Sequence, residues 1–190
     1  QKIDADRQMA SSRAAAKQIR AAKNSLSKIK DRGSFSTKFV QILAAQSDDP
    51  GLIKQSSRIL LGALSEDGQR LINFYNDINA IAFDLAKQGQ SASSISNADV
   101  QIFRNLLANP AVDDAKIDDY LDYLGDKAAA NAVFNELLVG DVPIREARQI
   151  ADQYMINELG YDQSPDGTFS KGEFSRNAYD QYLTTQRPGG

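Results

Sequence analysis

Apolar residues recur along most of this chain at the three- and four-residue spacing that is typical of amphipathic helices. Near the N-terminus they form a narrow seam. Its members are Ala15, Ile19, Ala22, Leu26 and Ile29. The seam predicts one helix over residues 3–30, which Gly33 ends. Because the seam is thin and rich in alanine, this helix is not expected to be stable alone, and we expect it to pack against another helix or another chain.

Wider apolar stripes follow, separated by capping residues, glycines and prolines. The predicted helices run from about Phe35 to Ser47, from Pro50 to Leu64, from Ser65 to Gly89, from Ser96 to Asn109, from Asp113 or Asp114 to Gly125, from Asp126 to Gly140, from Pro143 to Gly160, and from Phe174 to Leu183. Residues 89–96 are read as a polar connector. No stretch alternates apolar and polar residues long enough to predict a strand. The predicted fold class is therefore all-α, with eight to nine short amphipathic helices in an irregular bundle.

One helix start carries a particularly clear capping signal. Ser96 is followed three residues later by Asp99, which is close to a capping box. Ile95 and Val100 flank this pair at the spacing of a hydrophobic staple. The pattern predicts a helix that begins just after Ser96.

A twelve-residue stretch near the C-terminus, Asp162 to Glu173, holds the candidate chemistry. It reads DQSPDGTFSKGE, with oxygen-bearing side chains at alternate positions, a glycine at the sixth position and a glutamate at the twelfth. Calcium prefers six to eight oxygen ligands, which a short loop can supply when alternate side chains turn inward. The pattern resembles the calcium loop of an EF-hand.

The EF-hand resemblance implies a helix-loop-helix and a definite set of calcium ligands. The side chains of Asp162, Ser164 and Asp166, the carbonyl of Thr168, Ser170 through a water, and a bidentate Glu173 at the start of the next helix would be the ligands. Gly167 would permit the sharp turn and Phe169 would anchor the loop to the core. The alternative is a plain surface turn, because the segment Ser164–Gly167 has the proline and glycine positions of a type I turn.

The amino-acid composition excludes several kinds of catalytic and metal-binding site. The chain contains no cysteine and no histidine. Disulfides, thiolate metal sites, Ser-His triads and the usual general base are therefore excluded. The acidic residues between 113 and 122 fall on the solvated face of a predicted helix, and no phosphate-binding glycine loop is present. We therefore expect a protein that is not an enzyme. No apolar run is long enough to span a membrane, and no signal peptide is visible.

The charge is divided unevenly. Residues 1–32 carry nine Lys/Arg and three Asp, a balance of +6, whereas the rest of the chain carries a balance of −9. The predicted organisation is a basic helical arm over 1–32, a helical core over 33–142, and the EF-hand-like unit with a tail over 143–190. A basic arm on an acidic body predicts a negatively charged partner, either nucleic acid or the acidic face of a neighbouring copy.

Within residues 59–124, two segments have a similar layout of a small or apolar lead-in, a serine cap, an acidic turn and an amphipathic helix. They read LGALSEDGQRLINFY and SSISNADVQIFRNLL. This layout resembles helical segments of tailed-phage virion proteins of the DNA-ejection apparatus. The resemblance implies a structural protein in a homo-oligomer or larger assembly, in a virion or the cytoplasm, with calcium as a structural staple. The alternative is a free-standing EF-hand-like calcium-binding module that regulates a partner.

Overall fold

The computed structural model describes residues 2–26, 66–88, 92–108 and 112–179. Their elements are α1 (Lys2–Leu26), α2 (Glu66–Gln88), α3 (Asn97–Ala108), α4 (Asp114–Val139), α5 (Ile144–Asn157), β1 (Asp162–Gln163), β2 (Phe169–Lys171) and β3 (Phe174–Ser175). The described part is mostly helical, with one small sheet. The helices predicted between residues 33 and 64, and the tail after residue 179, lie outside the described residues.

The most extensive contact between described elements joins α1 to α4. The two helices run antiparallel. Ser12 of α1 accepts a hydrogen bond from Asn131 of α4, and Ile19 lies beside Gly125. The buried side chains of α1 are small apart from one isoleucine: Ala5, Ser12, Ala15, Ala16 and Ile19. The prediction that the N-terminal helix packs against another helix is confirmed.

The prediction of two helices separated at Gly125 is wrong, because α4 continues through this residue to Val139. The lack of a side chain at Gly125 allows α1 to approach α4 closely. A Cβ atom at this position would lie 3.2 Å from Cγ of Arg20 and 3.7 Å from Cγ2 of Ile19. Asp126, the predicted cap of the following helix, instead forms a 2.8 Å ion pair with Arg20. The predicted cap at Asp113 is present, since its side chain accepts a hydrogen bond from the amide of Lys116.

The end of the predicted polar connector belongs to the core. Ser93, Ser94 and Ile95 are all buried. The amide of Ser93 donates to Asp152 of α5, and the hydroxyl of Ser94 donates to Asn131 of α4. Small polar residues at these positions therefore allow close packing rather than exposure to solvent, and this is why their composition resembles that of a linker.

The C-terminal unit contains strands that the sequence did not predict. β1, β2 and β3 form an antiparallel three-stranded sheet in that order, with Asp162 opposite Ser170 and Lys171 opposite Phe174. The strands have only two or three residues, which is too short for an alternating pattern to be visible in the sequence. Phe174, which was predicted to lie on a closing helix, is in β3, and a helical turn follows over 176–179.

An aromatic cluster attaches this sheet to α4. Tyr123 of α4 lies 4.9 Å from Phe174 and 6.0 Å from Tyr161, measured between ring centroids. Phe169 is buried and meets Tyr161 edge to face. The predicted role of Phe169 as an anchor to the core is therefore confirmed. In the described ranges, no helix combines the length and the apolar character needed to span a bilayer.

Candidate functional site

The six predicted calcium ligands lie along a β-hairpin and the turn that follows it. Asp162 is exposed on β1, and Ser170 faces it in the strand register of β2. Ser164, Asp166 and Thr168 belong to the connecting turn. Glu173 is exposed in the tight turn between β2 and β3. The expectation that Glu173 lies on the first turn of a helix is wrong, because the helical residues begin only at position 176.

Hydrogen bonds within the hairpin hold its turn closed. The amide of Gly167 donates to the carbonyl of Ser164 at 2.8 Å, and the amide of Ser164 donates to the carbonyl of Thr168 at 2.9 Å. Gly167 has a φ of +82°, which glycine adopts without steric cost. The segment Ser164–Gly167 is thus a closed turn, as the plain-turn alternative predicted.

The carboxylate of Asp166 is already engaged inside this turn. One oxygen accepts from the amide and hydroxyl of Thr168, and the other accepts from the side-chain amide of Asn177 at 2.9 Å. These bonds, from Thr168 first and then from Asn177, lower the pKa of Asp166 to about 2. The side chain is therefore ionised at neutral pH, and it orders the turn through its neighbours.

This arrangement does not match the ligand cage of an EF-hand loop. The carbonyl of Thr168, a predicted ligand, accepts the amide of Ser164, and Asp162 and Glu173 stand on different strands or turns. Within the described ranges, no group of three or more acidic, histidine or cysteine side chains is placed to hold a metal ion. Calcium binding by these residues stays a prediction.

We expect the hairpin to be folded without calcium, so that the melting temperature is the same in EDTA and in millimolar calcium. A site filled at a hundred times its dissociation constant would add about 2.7 kcal/mol. For a chain of this size that corresponds to a rise of roughly 5–11 °C. Differential scanning calorimetry of the wild type and of Glu173→Gln checks this. A rise with calcium that the glutamine variant loses would establish the EF-hand reading.

A second site, buried in the core, centres on Asp99 at the start of α3. We call Asp99, Ser96, Lys127 and Arg176 the Asp99 cluster. One carboxylate oxygen accepts from the amide and hydroxyl of Ser96 and from Lys127 at 2.7 Å, and the other accepts from Arg176 at 3.4 Å. The hydroxyl of Ser96 also accepts from the amide of Asp99, which completes the predicted capping box.

The electrostatics of this cluster are those of a shielded ion pair. Asp99 and Lys127 are 1% and 4% exposed. Burial by itself would raise the pKa of Asp99, but the charge and hydrogen bond of Lys127 and the bonds from Ser96 outweigh it, so that the pKa lies below its usual value. Burial lowers the pKa of Lys127, and Asp99 opposes this only in part. The ring of Tyr123 lies 5.2 Å from the ammonium group and covers it.

A buried network of uncharged polar side chains connects three segments next to this cluster. Asn131 of α4 donates to Ser12 of α1 at 2.8 Å and accepts from Ser94 at 3.2 Å. Asn135, one turn further along α4, donates to the carbonyl of Asn131. All four side chains are buried. Because a buried amide must find partners, this Asn131 network favours one alignment of α1 on α4.

The sequence indicated only part of these two clusters. The capping box at Ser96 and Asp99 was visible because its members are three residues apart. Lys127 was missed, although it lies on the buried face of α4, four residues after Tyr123 and three after Leu124. A lysine at an apolar-face position was the available signal for a buried ion pair.

The basic arm meets acidic residues of its own chain. Lys2 pairs with Asp141 at 2.6 Å, Arg13 with Glu136 at 2.7 Å, and Arg20 with Asp126 at 2.8 Å. These three pairs follow the antiparallel course of α1 along α4. Three basic side chains of the arm thus pair with acidic side chains of the same chain, and the predicted partner, nucleic acid or the acidic face of a neighbouring copy, stays a prediction.

The chain matches no protein-family model, no curated protein and no solved structure. Its function is therefore inferred from the contacts of the described residues. Two features carry that inference, namely the α1–α4 helix pair and the buried Asp99 cluster.

Proposed function

We propose that this chain is a non-enzymatic structural protein, an irregular helical bundle that assembles with further protein subunits. The observation that carries the proposal is the lengthwise pairing of the basic α1 with the acidic edge of α4. In this pair, basic side chains of α1 meet acidic side chains, and Gly125 allows the two helices to approach closely. A structural role would use this pairing directly to join helices, whereas the pairing supplies no catalytic group.

The Asp99 cluster supports the same conclusion. Its charged groups bind one another and lie in the core, where they connect the start of α3, the middle of α4 and the turn after β3. Two surface grooves, of about 770 and 530 Å³, lie elsewhere. Neither groove is lined by Asp99, Lys127 or Arg176. The side chains of the Asp99 cluster thus stabilise the fold, and they do not contact a ligand in either groove.

We propose a particle with many copies as the setting, on the resemblance of two segments within residues 59–124 to virion segments. The second of them, residues 93–107, includes most of α3. The capping box and amphipathic helix that define the resemblance are formed in α3. A calcium-regulated module, the alternative role, would need the hairpin at 162–173 to open and take up the ion. The bonds of Asp166 to Thr168 and Asn177 oppose that opening.

Size-exclusion chromatography with light scattering, run over a range of concentrations with EDTA or with calcium, tests the proposal. We expect oligomers whose share rises with concentration and whose mass is the same in both buffers. A monomer at every concentration would contradict self-assembly. A monomer that exposes apolar surface only when calcium is added, measured with an apolar dye, would favour the regulatory module.

A further inference from the structure

The docking of α1 on α4 relies little on large apolar side chains. Among the side chains described on α1, Ile19 is the only large apolar one that is buried, and the others at the contact are alanines and a serine. Burial of apolar surface is the main non-directional contribution to such contacts, and small side chains supply little of it. Because α1 also contacts α2, a helix that leaves its place recovers its contacts only on the same pair of helices in another copy.

The specificity of the contact instead comes from polar pairs that fix one alignment. Three ion pairs, Lys2–Asp141, Arg13–Glu136 and Arg20–Asp126, lie along α1. The bond between Ser12 and Asn131 lies among them in the buried core. Because both partners of every pair belong to the same chain, each copy carries a complete α1 and a complete binding face on α4.

The segment that follows α1 is long enough for this helix to pack on α4 of another copy. Residues 27–65 join the end of α1 to the start of α2. A chain can span at most about 3.3–3.6 Å per residue, so a connection of this length sets a generous limit on which α4 the helix can reach. Exchange of an identical element between protomers reproduces every native contact, and it is a route to dimers with a low free-energy cost.

We propose that α1 of one copy packs on α4 of a second copy, so that the α1–α4 contact is the interface of the assembly. This rests on the proposed structural function and names its partner, a second copy of this chain. The exchanged contact contains the same ion pairs and the same Asn131 network as the contact within one chain. In this proposal, the predicted acidic face of a neighbouring copy consists of Asp126 and Glu136 on α4 and of Asp141 just after this helix.

Charge reversal on the two sides of the contact tests the exchange. An arm variant carries Lys2→Glu and Arg13→Glu, and a face variant carries Glu136→Arg and Asp141→Lys. These four side chains are 55–74% exposed, so their reversal leaves the core unchanged. Each variant alone places like charges across the contact. Only exchange between an arm variant and a face variant restores opposite charges on both contacts of the dimer.

Native mass spectrometry of the mixed variants, one of them carrying a mass tag, gives the result. We expect mixed dimers to exceed the two unmixed dimers together by roughly fivefold or more at low salt, the ratio that about 1 kcal/mol produces. The excess should fall as salt screens the exposed charges. A chain that carries all four reversals is the control, since its pairs are restored within one copy and it should form dimers alone.

The outcomes separate the two proposals. Dimers of the wild type without an excess of mixed dimers would overturn the exchange and leave assembly through another surface. A wild type that is monomeric throughout would contradict both. Circular dichroism of each variant confirms that its helix content is unchanged, so that a missing excess cannot come from unfolding.

Discussion

Replacing Asp99 with asparagine is expected to destabilise the chain by about 3–5 kcal/mol, because one partner of a buried ion pair is removed while the other stays buried. Lys127 would lose its 2.7 Å bond to a carboxylate, and Arg176 would lose its link to the start of α3. For a chain of this size the loss corresponds to a fall in melting temperature of roughly 6–20 °C. Thermal and urea unfolding followed by circular dichroism measure it.

The matched control is Asp119→Asn, which changes the same kind of side chain at an exposed position of α4. Its effect should stay within about 0.5 kcal/mol. Acid gives a second check. Since the pKa of Asp99 is lowered from 3.8, its contribution is complete above that pH and is lost as the pH falls through the folded-state value. The difference between the wild type and Asp99→Asn should therefore shrink in strong acid. Equal stability of the two proteins at neutral pH would contradict a stabilising role for the cluster.

The Asp99 cluster shows which contacts a sequence can reveal. Its local half, Ser96 with Asp99, follows from residue types three positions apart, and that prediction is confirmed. Its distant half is formed by Lys127 and Arg176, which lie 28 and 77 residues further along the chain. Nothing in the local pattern around either residue identifies the carboxylate that it meets. The helices were therefore easier to predict than the ion pair that holds them together.

Gly125 and the segment 93–95 show a different limit. A glycine after an apolar stripe and a run of serines both favour chain breaks when only propensity is considered. In the folded chain the glycine admits α1 at close range, and the two serines pack between α4 and α5. The same small residues occur in turns and in tight contacts between elements. Which of the two they form depends on the elements that pack around them. The uneven charge predicted an external negative partner, and it did not indicate that basic side chains of α1 pair with Glu136 and Asp126 of α4 in the same chain.

The prediction of a helix-loop-helix around residues 162–173 was wrong for a related reason. Alternating oxygen-bearing side chains with a glycine at the centre suit a calcium loop, but they suit a hairpin turn as well. The hairpin is favoured by the packing of Phe169 against Tyr161 and of Phe174 against Tyr123. This aromatic cluster forms between segments about forty residues apart, so the spacing within the loop could not show it.

Truncation of Phe169 to alanine is accordingly expected to be among the most damaging changes in the C-terminal unit. The side chain is 1% exposed, and its ring meets that of Tyr161 edge to face with centroids 6.3 Å apart. Loss of a buried phenylalanine costs about 3–5 kcal/mol, and the ring contact adds to that cost. Urea unfolding in EDTA measures the change in the free energy of unfolding.

The informative comparison is with Glu173→Gln, which alters an exposed side chain in the next turn. If the hairpin is held by its core contacts, the glutamine variant stays within about 0.5 kcal/mol of the wild type in EDTA and in calcium alike. If a cation holds it, calcium stabilises the wild type far more than the glutamine variant, and the loss caused by Phe169→Ala becomes smaller in calcium. A small effect of Phe169→Ala under both conditions would contradict the packing of the sheet on α4. The contacts of Phe169 with Tyr161, and of Asp166 with Thr168 and Asn177, favour the first outcome, in which the hairpin is stabilised by aromatic packing and hydrogen bonds rather than by an ion.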